Sequence, residues 1–306
     1  MPALQPKQRR RRPRKRPTTP GWTARAQTTE TWSAVNEPSN GPSEEQNKER
    51  EQGVLLTVSY DGTAFRGWAR QNGVRTVEET LTGAVLAVDP RAGPLRGASR
   101  TDAGVHAAGQ LAAFDAGLDA PPRGWVLEIN KHLPEDVAVR AACRAPAGFS
   151  PRFAARGKRY RYRMLVDRVR DPQWRTRAWR LPELDTEAML HEAALACGTH
   201  DFASFRAAGD GRANTMRTMT RVDVEREEDP RIVAVVIEGD AFLQHMVRIL
   251  VGTMADVARG RLARGTMATA IRARDRRAAG MTAPAHGLVL ERVDVDSEGL
   301  GERWPP

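Results

Sequence analysis

The chain has 306 residues, 40% hydrophobic and 28% charged, enough for one large domain or two modest ones with cores of their own. No apolar run nears the roughly twenty residues that span a bilayer; the longest, Ile232 to Ile237, reads as a buried strand. Net charge is +10 and the isoelectric point near 10.4, which points to an acidic partner, nucleic acid before anionic membrane.

The charge is uneven. Residues 1 to 50 carry a net +6 from eleven Lys or Arg and five Asp or Glu, leaving +4 for the rest, so the body is only mildly basic. This stretch, with Arg9 to Arg12 and Arg14 to Arg16 followed by a Ser/Asn/Glu-rich run, lacks apolar periodicity, and residues 1–52 are read as a disordered tail. A sequence-independent clamp on RNA phosphates and a merely solvated extension fit it equally, with a nuclear import signal as a third reading. No apolar segment follows Lys7 to Arg16, so secretion is not expected. Cys143 and Cys197 form no CxxC pair, and the six histidines have no HExxH or HxxxH spacing. Neither a disulfide framework nor a metal site is expected, and a reducing cytoplasm fits.

Order begins at Val54 to Tyr60, an apolar strand ending in the turn Asp61-Gly62, where glycine can adopt positive φ. Thr76 and Glu79 have capping-box spacing, and Val77, Leu81, Val85 and Val88 recur at helical intervals behind them. Pro94 to Arg100 reads as a short strand entering a loop at Asp102 to His106, and Gln110 to Phe114 as the next strand. Arg123 to Lys131 reads as a helix stopped by Leu133-Pro134, and Val137 to Cys143 as a strand.

The rhythm then repeats. Arg159 to Val166 alternates tyrosines and Met164 with arginines, the period of a strand with one basic face. Asp185 opens a helix to Cys197, ended by Gly198. Met216 to Glu225 and Arg231 to Glu238 read as an antiparallel pair. Helices over His245 to Ala258 and Gly265 to Ala279, then a strand over Leu288 to Val293, complete the chain. The pattern is α+β in two halves, residues 53–150 and 151–306.

Gly97 to Gln110 is the most informative segment, because a strand end delivers Arg100, Thr101 and Asp102 into a loop closed by Gly104. Alone, Asp-Ala-Gly is weak, since most such aspartates merely cap turns. Arg100-Thr-Asp-Ala-Gly-Val-His106, however, resembles the signature of the TruA family of tRNA pseudouridine synthases, and further blocks keep the family's order. Tyr60-Asp-Gly62 and Gly67-Trp68 precede it. Asn130, Leu133-Pro134, Arg152-Phe153, Lys158-Arg-Tyr-Arg-Tyr162, Asp201 to Arg206, His245-Met-Val-Arg248 and Gly287 to Leu290 follow. The likeness runs from about Val54 to Val295.

The resemblance implies a fold of two ferredoxin-like halves with joined antiparallel or mixed sheets and an RNA-binding cleft between them. It implies a homodimer in the cytoplasm that isomerises uridine to pseudouridine at positions 38, 39 and 40 of the tRNA anticodon stem-loop, with no metal, no nucleotide and no other cofactor. The reaction breaks the C1′–N1 bond and rebonds uracil through C5, so positive charge developing at C1′ needs an ionised carboxylate nearby. Asp102 is carried over as that group, attacking C1′ or removing the C2′ proton, two routes left open. Arg248 matches the arginine that pairs with it and keeps it ionised. Tyr160 matches the tyrosine placed against the uracil, where it can stack or assist loss of the C5 proton. Arg100 matches the arginine that fills the space left by the everted base.

Lys158, Arg159, Arg161 and Arg163 are expected on phosphates, against a merely solvated strand face. Leu288 and Leu290 are expected to wall the uracil pocket or else to be plain core. His106 reads as a loop-structuring residue and Tyr162 as a core aromatic. Two departures from the family pattern, Ala69-Arg70-Gln71 and Ser150, bear on substrate contacts rather than on Asp102. Two rival readings are a tRNA-binding folding chaperone that needs no catalysis and a hydrolase of N-glycosidic bonds. The second is disfavoured because no second carboxylate sits in a partner motif.

Overall fold

The first half of the chain lays β1 (Gly53–Tyr60), α1 (Val77–Val88), β2 (Arg96–Gly97), β3 (His106–Asp115), α2 (Pro122–Lys131) and β4 (Val137–Ala145) across a sheet in the order β4-β1-β3-β2. The second half supplies β5 (Ala155–Val166), β6 (Trp179–Leu181), α3 (Thr186–Ala196), β7 (Gly198–Asp201), β8 (Met216–Arg226), β9 (Ile232–Gly239), α4 (Met246–Ala258), α5 (Thr266–Ala273) and β10 (Leu288–Val295). Its strand order is β10-β5-β9-β8, with β7 added beyond β8 and β6 paired to β5. Both halves are therefore ferredoxin-like, each with its last strand beside its first. The computed structural model describes residues 52–303, so the expected tail, apart from Gln52, lies outside the described residues.

One ten-stranded sheet runs through both halves. Its seam is β10, which pairs antiparallel with β5 and parallel with β3 at Val289–His106 and Leu290–Ala107. β2 takes another stretch of the same edge of β3, at Ala112 and Ala113. Residues 98–105 link β2 to β3 beside that seam, and Asp102 is among them.

Local chemistry explains the elements. α1 buries Val77, Leu81, Ala84 and Val85, one face of a 3.6-residue repeat. α2 buries Trp125, Val126 and Ile129, and Trp125 meets Phe114 of β3 edge-on at 5.3 Å. Such a contact adds about 0.5–1.5 kcal/mol to the burial itself. The Asp185 side chain accepts from Ala188 N at 3.0 Å and starts α3. Ile232 to Ile237 is wholly buried in β9, as its unbroken apolar run requires of a strand covered on both faces.

Several expectations are corrected. The Thr76 hydroxyl makes no cap bond; the first N–H groups of α1 instead donate to Gly67 O at 3.2 Å and Trp68 O at 3.0 Å, while Glu78 accepts from Arg70 N. The strand expected over Pro94 to Arg100 shrinks to Arg96–Gly97, because the Gln110 side chain holds the backbone of Ser99 in place of a strand ladder. The last helix stops at Ala273, where Arg274 turns left-handed and the Asp275 side chain captures Arg277 N. Gly62 has no positive φ; it is required because a Cβ there would lie 2.0 Å from Val105 O.

Candidate active site

The Asp102 loop is clamped from below by the segment before α1. Trp68 N donates to Thr101 O at 3.1 Å, Gly104 N to Phe65 O at 3.3 Å, and the Tyr60 hydroxyl meets Thr101 Oγ1 at 2.7 Å. Gly67 permits this approach twice over: its φ is +98°, and a Cβ would sit 2.8 Å from Thr101 O. His106, buried at the start of β3, accepts from Gly62 N through Nδ1 at 3.1 Å. Its Nε2 lies 2.8 Å from Thr176 O and 3.2 Å from His286 O. With Asp61 Oδ1 also 3.2 Å from Nδ1, these contacts on both ring nitrogens make His106 a structural bolt between the loop and the second half.

Across the seam, the second half supplies the cation. Arg248, in the first turn of α4, donates from Nη1 to Asp102 Oδ2 at 2.9 Å, and its Nε donates to Ala283 O at 2.8 Å. The Asp102 and Arg248 side chains are only 19% and 15% exposed, so their attraction is screened less than that of a surface pair. His245 Nε2 lies 3.6 Å from the same carboxylate oxygen. Its backbone is left-handed, with φ 62° at the N-terminus of α4, a conformation a non-glycine residue pays for.

Tyr160 forms a wall of the same cleft. Its ring meets Phe242 edge-on at 5.0 Å, and its hydroxyl lies 3.0 Å from Ser99 Oγ. Burial pushes the phenol up to about 12, with the Ser99 bond opposing and the Asp102 charge adding to the rise. Leu288 lines the cleft beside Val105 and Met246. Arg100 stands exposed at its edge, with no ion pair among the described residues.

Other expected site residues lie elsewhere. Leu290 is fully buried opposite Tyr160 in the β5–β10 register, as core rather than cleft wall. Tyr162 is core, its hydroxyl donating to Pro284 O at 2.7 Å. The four basic residues of β5 do not form one phosphate-facing cluster, because alternation splits them between the two faces of the strand. Lys158 shares the Tyr160 face and donates inward, to Ala98 O at 3.1 Å and Ser99 Oγ at 3.3 Å. Arg159, Arg161 and Arg163 share the other face and are saturated by carboxylates. Glu291 contacts Arg159 at 2.8 Å and Arg161 at 2.5 Å, and Glu227 contacts Arg161 at 3.2 Å and Arg163 at 2.9 Å.

Sequence reasoning missed His245, Ser99, Gln110 and Phe242. His245 lies in a recognised block, but nothing in the letters reveals a left-handed histidine aimed at Asp102. Among the described residues, no group of three or more His, Cys, Asp or Glu side chains is gathered as metal ligands, and no helix is long and apolar enough to cross a membrane.

Chemically, this is a cleft with one carboxylate, a guanidinium bonded to it and an aromatic wall, equipment for stabilising positive charge on a sugar attached to a planar base. Known proteins agree with that class. A family model described as tRNA pseudouridine synthase matches residues 56–154 and 193–296. A tRNA pseudouridine synthase A from Geobacter sp. (strain M21) is 40% identical over 242 residues, covering 78% of this chain and 97% of the relative. The protein of that name from Myxococcus xanthus is 41% identical over 241 residues, covering 78% and 91%. That from Acetivibrio thermocellus is 39% identical over 241 residues, covering 78% and 98%. A solved structure, "Crystal Structure of a Cbf5-Nop10-Gar1 Complex", is similar at TM-score 0.35 and 12% identity over 86% of this chain and 56% of that one, too remote to carry an argument.

The chain belongs to the tRNA pseudouridine synthase family, isomerases that convert uridine in tRNA to pseudouridine. The chaperone reading finds no support among these relatives.

Proposed function

We propose that this enzyme acts on uridines 38, 39 and 40 of the tRNA anticodon stem-loop, with Asp102 as the essential carboxylate. The observation that carries the reading is the 2.9 Å bond from Arg248 to Asp102 inside an aromatic-walled cleft. The second bond of that guanidinium, from Nε to Ala283 O, fixes the direction from which it holds the Asp102 carboxylate. The carboxylate either attacks C1′ or takes the C2′ proton; both routes need the same negative charge beside the ribose.

Tyr160 stacks on the detached uracil while it turns, a contact of about 1–3 kcal/mol in other single-stranded sites. Arg100, exposed at the cleft edge, fills the gap left by the everted nucleotide and offsets part of an extrusion cost of a few kcal/mol. Leu288 limits the pocket to a flat base. In this reading the reaction uses no cofactor, and the exchange of C1′–N1 for C1′–C5 calls for no net oxidant or reductant. The working enzyme is a cytoplasmic homodimer in this reading.

The test is to incubate purified protein with unmodified tRNA transcripts and map pseudouridine by carbodiimide primer-extension stops. Pseudouridine is expected at 38, 39 and 40 wherever uridine stands there, each read as a stop one nucleotide to its 3′ side. Pseudouridine confined to another arm of the tRNA would overturn the assignment. Sedimentation at micromolar concentration should give twice the chain mass of 33.8 kDa, and a monomer that is fully active would refute the dimer.

A further inference from the structure

Ser99 has an unusual set of partners. Its backbone is gripped from both sides by one buried side chain, with Ser99 N donating to Gln110 Oε1 at 3.2 Å and Gln110 Nε2 donating to Ser99 O at 2.7 Å. Its hydroxyl then lies between Tyr160 Oη at 3.0 Å and Lys158 Nζ at 3.3 Å. Three titratable or hydroxylic groups are thus strung in hydrogen-bond contact, leading from the cleft into the protein.

We propose that Lys158, acting through Ser99 and Tyr160, receives the proton that leaves uracil C5 once the new carbon–carbon bond has formed. The inference rests on the isomerase reading above and extends it to the last chemical step. After C1′ bonds to C5, that carbon still carries its hydrogen. The C5–H bond breaks, its electron pair restores the C5–C6 double bond, the C6–N1 pair returns to N1, and N1 takes a proton from water. Tyr160 Oη receives the C5 proton while passing its own to Ser99 Oγ, and Ser99 passes its own to the neutral amine of Lys158, which becomes an ammonium. Atoms and charge balance without an oxidant or a metal.

The surroundings suit each member. A phenol pushed up to about 12 by burial is a poor source of free phenolate near neutral pH, so a Tyr160 that gives a proton as it takes one avoids that species. Burial, helped by Arg152 and Arg212, pulls Lys158 down to about 8, so the neutral amine is accessible. The charged groups around the relay are Asp102 toward Tyr160, then Arg152 and Arg212 toward Lys158. Arg156, Glu238, Asp240 and Asp294 line an open groove at Lys158, through which its extra proton returns to solvent. The inward-facing lysine, puzzling as a phosphate contact, has a use here.

The test is single-turnover pseudouridine formation on tRNA carrying hydrogen or deuterium at uracil C5, followed from pH 6 to pH 10. Wild-type enzyme should speed up with pH through a midpoint near 8 as Lys158 becomes neutral. Lys158→Met should slow the reaction about 10²-fold, raise the deuterium isotope effect and abolish the pH-dependent rise. Lys158→Arg, permanently cationic, and Ser99→Ala, which breaks the chain in its middle, should do the same, so one poorly folded variant does not decide the matter. Variants that slow turnover with a wild-type isotope effect and an unchanged pH profile would overturn the relay while leaving the isomerase reading intact. A wild-type enzyme that makes no pseudouridine would strike the isomerase reading itself.

Discussion

The two faces of β5 carry similar letters and do opposite things. Arg159, Arg161 and Arg163 meet Glu225, Glu227, Glu238 and Glu291 in a network that consumes the positive charge of their face. A bulge in β10 between Leu290 and Arg292 helps by adding Glu291 between the residues paired to Tyr160 and Arg159. On the other face, Tyr160 walls the cleft where Asp102 is held by Arg248, and Lys158 turns inward to Ser99. Charge on a strand is thus no guide to RNA contact until its partners are known; one face is tied to glutamates and the other to Ser99 and the cleft.

That contrast can be broken by substitution. Below the carboxylate itself, the largest effect is expected at Arg248: Arg248→Met should lower kcat by about 10²–10³-fold with a smaller change in tRNA affinity, measured by steady-state kinetics. A loss confined to KM would mean that Arg248 only binds substrate. Next comes Trp125→Ala, which opens a cavity beneath β3 and should cost about 3–5 kcal/mol in urea unfolding. On the saturated face, Arg161→Gln should destabilise by about 1–3 kcal/mol, because it strands several carboxylates around a half-buried site, with kcat of the folded enzyme unchanged. A fall in tRNA affinity instead would restore the phosphate role.

A further effect is a matter of pH. Lys158 titrates near 8 when folded and near 10.5 when unfolded, so between those values the folded chain binds fewer protons. Stability from this residue therefore rises with pH across that window, and below it the buried ammonium carries a cost on the order of 3 kcal/mol. Thermal melts of wild type and Lys158→Met should converge as pH climbs from 8 to 10. A constant difference would show that burial of the ammonium is not what separates them.

Much of this was readable in advance for a physical reason. Regular periodicity marked α1, α3, β5 and β9, and the loop signature at Arg100 to His106 located Asp102. β6 and β7, at three and four residues, are too short to leave a period, and β2 ends early because a side chain rather than a strand holds Ser99. Arg248 and its pairing with Asp102 were foreseen through family likeness alone, because the contact spans 146 residues of sequence and depends on β10 joining the halves. The fate of the β5 arginines depended on glutamates from β8, β9, β10 and the turn after β8, which no local pattern encodes.

The proposed chemistry rests on the carboxylate of Asp102. Its most direct measurement is tritium release from tRNA labelled at uracil C5, comparing wild type with Asp102→Asn, a variant that keeps shape and loses charge. The wild-type enzyme should release label from its target uridines, and the variant should release none while binding tRNA and melting like the parent. Release by Asp102→Asn at the parental rate would contradict the account.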